Sequence, residues 1–313
     1  MPLKVLFLIL ALVLSNSCAA TITNYKVDLS DETLPQGGVT LIHIGGGPAG
    51  QAVSASFGGG EVFTIEAQDG AWGIVAADLE TKPGTYELSF GEGKVQSTTA
   101  LQVVAGDYGT TRLRLPRDMV EFDEKTLHRI KKEQNLLRMV WAGSSPKPLW
   151  NAPFSMPLKG RITGHFGSRR ILNGSPRSPH GGLDIAAPAG TPVKAANRGR
   201  VAFVGDFFFY GRFMVIDHGL GVFTLYAHLN SVEAGYGQVV KAGAVIGRVG
   251  ATGRATGPHL HFSVKVGDVR VSPDRFFEVT ERLMRHMALE ASGGHQVKGS
   301  GVVRGSLNYG LPG

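Results

Sequence analysis

The chain has almost no cysteine: Cys18 is the only one in 313 residues, so no internal disulfide framework can hold the fold together. Charged residues are sparse at 18%, and no run of lysines and arginines marks a nucleic-acid arm, which argues against nucleic acid as a partner. Long apolar runs are missing as well. The N-terminal one, Val5 to Leu14, is roughly half of what a bilayer-spanning helix needs, and nothing later is apolar enough, so no membrane span is expected. No internal repeat is evident. Residues 21–104 also lack any ligand-like grouping of His, Asp and Glu, which sets that segment apart from the chemistry.

What is present points to β structure and export. With 44 glycines and 16 prolines the chain must turn often and can hold few long helices, while a 42% hydrophobic content is ordinary for a globular protein. Its length suits about two domains. Lys4, the apolar run and the small residues Ser15, Ser17, Ala19 and Ala20 have the layout of a cleaved secretory signal over residues 1–20. Cys18 then falls at the end of the signal. A lipid could attach there, although Leu14 stands one place too early for the usual lipoprotein signal, and cleavage after Ala19 or Ala20 would leave no cysteine. Removing residues 1–20 takes away one lysine and no acid, so the net charge falls from +7 to +6. A basic exported protein suits an anionic envelope surface.

From residue 21 to 105, short stretches rich in β-branched and aromatic residues such as Gly38–Ile44, Glu61–Ile65 and Gly84–Phe90 alternate with turns, as in a small β-sandwich. His43 alternates with Leu41 and is expected to face solvent. Residues 106–150 read as a linker carrying a helix over 123–141, with Asp123 as cap and a docking stripe of Leu127, Ile130, Leu137 and Trp141. A proline-rich stretch, Ser144 to Pro153, enters a second domain at 151–278, again of short strands. A short helix is expected at 279–290, and the glycine-rich tail 291–313 reads as disordered.

The second domain holds the chemistry. His180-Gly-Gly-Leu-Asp184, Tyr226-Ala-His228-Leu and Pro258-His259-Leu260-His261-Phe262 together offer four imidazoles and a carboxylate. Hydrolytic zinc takes three such ligands and leaves a fourth position to water. Alternate residues of a strand share a face, so His259 and His261 project together, while Leu260, Phe262, Val264 and Val266 enter the core. The same parity places Thr224, Tyr226 and His228 on one face. Gly181 and Gly182 exclude a helix between His180 and Asp184 and place them on a loop leading into a strand at 183–185. His218 reads as a structural residue at a turn.

These motifs resemble the M23 peptidases, the lysostaphin and LytM-like zinc endopeptidases of bacterial peptidoglycan. The resemblance runs from about Arg161 to Pro273 and includes Phe166-Gly-Ser-Arg169, His180 to Pro188, Gly190-Thr-Pro-Val193, Tyr226-Ala-His-Leu229, Val240-Lys-Ala-Gly243 and Gly257 to Phe262. The segment around Leu115 to Val120 and the following helix also resemble the N-terminal region of some members. The resemblance implies a mainly β protein: an N-terminal β-sandwich-like domain, a linking helix and a C-terminal antiparallel M23 catalytic domain. It implies Zn2+ held by His180, Asp184 and His261, with His228 and His259 as catalytic histidines. Tyr226 either hydrogen-bonds the oxyanion or simply lines the groove. Two positions depart from the commonest family pattern, Ser263 where many members have Glu and Arg212 where many have Asn.

The implied function is that of an exported zinc metalloendopeptidase, in the periplasm, cell envelope or outside, cutting stem peptides or cross-bridges of peptidoglycan. The D-alanyl to diaminopimelate bond is the expected target. The alternative is a catalytically silent, wall-binding activator of another hydrolase; a structural zinc protein is a further rival. The N-terminal domain is a candidate to contact and cover the catalytic groove.

Overall fold

In the first half of the chain, alternating apolar residues make two sheets that share one core. A computed structural model describes residues 25–46, 53–93 and 95–292; the signal 1–20 and nearly all of the tail lie outside these. One sheet orders Lys26–Leu29, Val39–Gly45, Gly70–Ala76 and Thr64–Ala67; the other orders Thr33–Pro35, Val95–Val104, Gly84–Glu92, Ser54–Phe57 and Gly60–Val62. Ile42, Ile44 and Val75 from the first meet Leu34, Leu88, Leu101 and Val103 from the second, all fully buried.

The opposite face of the first sheet is covered too. Val39, Leu41, Trp72 and Ile74 join the core of the second half of the chain. His43 shares that face, so it is 9% exposed, with its ring tilted against that of Trp72 at 4.5 Å, not solvent-facing as expected. The burying element is α2 (Pro273–Ala291), contributed from the far end of the chain. α2 begins six residues earlier than the sequence reading put it. Ser272 caps it, accepting from the Arg275 N–H, and Pro273 occupies the first turn, where a missing N–H costs nothing. Its residues Phe276, Val279 and Leu283 are completely buried, each contributing roughly 1.5–3 kcal/mol.

α1 (Glu124–Trp141) is capped by Asp123, whose Oδ1 accepts from the Thr126 N–H at 2.8 Å. Ile130 and Leu137 are buried, whereas Leu127 is 52% exposed, so the docking stripe covers only the later turns. Leu137 packs with Phe207, Phe213 and Phe223 on the outer face of the main sheet. Glu133 fastens the helix to the loop beside the site, accepting the Phe208 N–H at 3.0 Å.

That main sheet is antiparallel and runs Arg161–Gly164, Leu183–Ala186, His259–Val266, Val222–Ala227, Gly211–Gly219, Gly199–Phe207 and Val239–Val240, with Val269–Val271 also on His259–Val266. Its central strands are buried on both faces, which explains their nearly unbroken apolar character. A three-stranded sheet, Pro192–Lys194, Val245–Val249 and Leu229–Val232, flanks it. The linker supplies Thr110–Leu113, which pairs in parallel with Arg169–Leu172 and so comes to the edge of the site. Among the described residues no helix is long and apolar enough to cross a membrane.

Candidate active site

Register brings the polar residues together at the end of three adjacent strands. His261 lies directly opposite Asp184 on one side and Ala227 on the other, and His259 lies opposite Ala186. Cross-strand partners share a face, so Asp184, His259 and His261 converge. Asp184 Oδ1 is 2.9 Å from His180 Nε2 and 2.8 Å from His261 Nδ1, and those two nitrogens are 3.1 Å apart. Around a tetrahedral zinc with ligands at about 2.0–2.1 Å the donor atoms would be roughly 3.3 Å apart, so this cluster needs only a slight expansion to hold one.

Proton placement also favours a cation. His180 Nδ1 is 3.0 Å from the His165 carbonyl, which only accepts, so this nitrogen carries a proton, and in the tautomer that binds a metal a bare Nε2 faces Asp184. A lone pair facing a carboxylate is repulsive unless a positive charge stands between them. Burial pulls His261 down to about 4 despite the opposing Asp184 charge, which keeps that ring neutral. Burial alone would raise the Asp184 carboxyl, but the His180 and His261 rings against its Oδ1 outweigh burial and hold the group far below the usual carboxylate range.

Several further residues support the cluster. Arg170 binds the other carboxylate oxygen of Asp184 at 3.2 Å. Gly164 and Gly182 leave room that a Cβ would fill, colliding with the Asp184 carboxylate in one case and with Phe262 and His261 in the other. The Thr252 and Gly257 carbonyls accept from Nδ1 of His228 and His259, each at 2.8 Å, so both rings present Nε2 to the site. Burial and the neighbouring His261 and His259 push His228 down to about 3, making it a neutral acceptor. The His228 and His259 rings are 4.7 Å apart, and His259 Nε2 is 3.9 Å from Asp184 Oδ1. At Arg212 the departure from the commoner Asn leaves a backbone contact, its N–H donating to Thr252 Oγ1 at 2.9 Å.

Tyr226 does not belong to this group. Regular alternation ends at Ala227, and His228 takes a left-handed backbone with φ 61°, which turns its ring to the side of His261. Tyr226 instead faces the core beside Phe262, fully buried, its hydroxyl 2.8 Å from the Ala196 N–H and 2.9 Å from Thr224 Oγ1. Burial pushes its pKa up to about 12. His218 completes the buried chain, with Nε2 2.8 Å from Thr224 Oγ1 and Nδ1 donating to the Arg198 carbonyl. Tyr226→Phe is therefore expected to leave turnover within about twofold while costing about 1–3 kcal/mol, because the Ala196 N–H loses its buried acceptor. Urea melts and initial rates on the same preparation check both halves.

The cleft around these residues has a volume of about 160 Å³. Its far wall comes from the linker, Leu113, Leu115 and Met119, rather than from the N-terminal sandwich expected to cover it. Arg254 and Arg177 hold that wall through the Met119 and Val120 carbonyls, at 3.4 and 3.1 Å.

A mainly β fold with a His/Asp cluster across neighbouring strand ends agrees with the match of residues 178–273 to a family of peptidases, peptidase family M23. The likeness extends well beyond that segment. The crystal structure of a candidate M23 peptidase from Pseudomonas aeruginosa is 31% identical, covers 80% of this chain and 96% of that one, and superposes with a TM-score of 0.63. The chain belongs to peptidase family M23. Among curated proteins, DD-carboxypeptidase/endopeptidase Mpg of Neisseria meningitidis is 48% identical over 94 residues, covering 30% of this chain and 22% of that protein. Peptidoglycan DD-endopeptidase ShyA of Vibrio cholerae is 41% identical over 114 residues, covering 36% of this chain and 26% of that protein. The chain spans about a quarter of the length of these curated relatives.

Proposed function

We propose that this chain is an exported zinc metalloendopeptidase of the bacterial cell envelope that hydrolyses peptidoglycan peptides at the D-alanyl to diaminopimelate cross-link. The observation that carries the reading is the convergence of His180 Nε2, Asp184 Oδ1 and His261 Nδ1 within 3.1 Å, with the proton of His180 committed elsewhere. The names of the ShyA and Mpg relatives support the choice of bond. Silent activators in this family lack ligands, whereas here all five polar side chains meet.

His180, Asp184 and His261 would hold the zinc. When bound, it supplies Lewis acidity to the scissile carbonyl and lowers the pKa of water to roughly 7. Arg170 fixes Asp184 from outside, so the carboxylate keeps one oxygen for the metal. His228, neutral and held by the Thr252 carbonyl, aims an unprotonated Nε2 at the site and accepts the proton of the attacking water. His259, fixed in the same way by the Gly257 carbonyl, turns its Nε2 to the same water and orients it, and His228 passes the proton it has taken to the departing amine. Arg170 and Arg254 give the cleft a positive lining suited to the carboxylates of stem peptides.

The test is incubation of purified protein with peptidoglycan sacculi, with the released muropeptides resolved by mass. Release of monomers from D-alanyl to diaminopimelate dimers is expected. Chelation should lower that release by at least ~10²-fold and added zinc should restore it. Release unchanged after the metal has been removed would sink the reading.

A further inference from the structure

A second cluster of ligating side chains lies at the seam between the N-terminal sandwich and α2. His43, Asp69 and Glu290 each offer a donor atom, and all three atoms fall within 4.8 Å of one another. They come from three separate elements: the strand Val39–Gly45, the turn between Thr64–Ala67 and Gly70–Ala76, and the last turn of α2. His43 Nε2 is shut off from solvent and has no hydrogen-bond partner. It stands 3.0 Å from Asp69 Oδ1 but is poorly aligned for a hydrogen bond with it. Buried ring nitrogens are nearly always satisfied, so this one lacks a partner that the protein does not supply.

Glu290 presents the matching anomaly. It puts a carboxylate in the last turn of α2, where the helix dipole is negative and basic residues are absent. The carboxylate is nevertheless held firmly, accepting from Trp72 Nε1 at 3.0 Å and from the Gln68 N–H at 3.3 Å. Trp72 in turn packs against His43 at 4.5 Å and His286 at 4.6 Å, which fixes the imidazole beside the two acids. A cation between the three groups would satisfy the orphan nitrogen and offset both the paired carboxylates and the helix end.

We propose that His43, Asp69 and Glu290 form a second zinc site that clamps α2 to the N-terminal sandwich. One imidazole and two carboxylates make a donor set that zinc accepts, and the largely exposed Asp69 leaves the fourth position to water. Because the ligands converge only in the folded chain, the ion stabilises the docked arrangement through mass action. The site lies apart from the His180, Asp184 and His261 cluster and does not depend on the peptidase reading.

The experiment is zinc stoichiometry by equilibrium dialysis and elemental analysis on the purified full chain, with Tm followed against added Zn2+. His43→Ala risks unfolding because the ring packs on Trp72, so Asp69→Asn and Glu290→Gln are the informative variants. Both keep shape, and the amide oxygen introduced by Glu290→Gln can still accept from Trp72. We expect each variant to hold one zinc ion fewer than the parent, one against two where the His180, Asp184 and His261 cluster is loaded as well. His261→Ala should also hold one ion and keep the zinc-dependent rise in Tm that Asp69→Asn loses. If Asp69→Asn and Glu290→Gln bind as much zinc as the parent and show the same rise in Tm, the cluster is only an ion pair and the proposal fails.

Discussion

Asp184→Ala is expected to release one equivalent of zinc and to lower muropeptide release by about 10³-fold or more. Asp184 Oδ1 lies 2.9 Å from His180 Nε2 and 2.8 Å from His261 Nδ1, and without it two imidazoles face each other with no anion to balance a divalent ion. Even the loss of a group that merely supports a ligand costs about 10–100-fold in affinity or activity, and this change removes a proposed ligand itself. Arg170→Gln supplies that milder comparison, since it removes the ion pair to Asp184 Oδ2 and leaves the three donors in place. It should fall in the 10–100-fold range, with zinc weakened but present. Elemental analysis and sacculus digestion on folded protein, checked by circular dichroism, separate the cases. An Asp184→Ala protein that keeps its full zinc complement and releases muropeptides would overturn the assignment.

Much of this site was legible because it rests on regular strands. His259 and His261 alternate with Leu260 and Phe262, and a two-residue period is enough to place them on one face. Asp184 follows from the same rule once its strand pairs with theirs. Parity misled the reading at Tyr226, because the strand ends one residue later and the left-handed backbone of His228 breaks the alternation. Arg170 and the carbonyls of His165, Thr252 and Gly257 left no trace, since a backbone oxygen has no sequence signature and Arg170 reaches the site from a separate strand. His43 was misjudged because α2, which covers it, lies more than two hundred residues away in the chain. The start of α2 was different, for Ser272-Pro273 is a local signal that lay in the sequence unread.

Removing the imidazole of His228 should separate chemistry from metal binding, and the backbone decides which variant shows it cleanly. His228 has φ 61°, with its N–H donated to the Tyr210 carbonyl at 2.9 Å. That left-handed conformation disfavours alanine, whereas asparagine tolerates it, so His228→Ala combines a lost proton acceptor with backbone strain. His228→Asn keeps the conformation and a polar side chain while removing the unprotonated Nε2. It is expected to retain zinc at the parent level, leave KM within about threefold and lower kcat by about 10²–10⁴-fold, the usual contribution of a positioned acid–base group. Single-turnover digestion of a cross-linked muropeptide dimer, with zinc measured on the same sample, makes the comparison. Near-parent kcat in His228→Asn would leave proton transfer to His259 alone, whereas zinc loss would make His228 a ligand; either outcome contradicts the proposed division of roles.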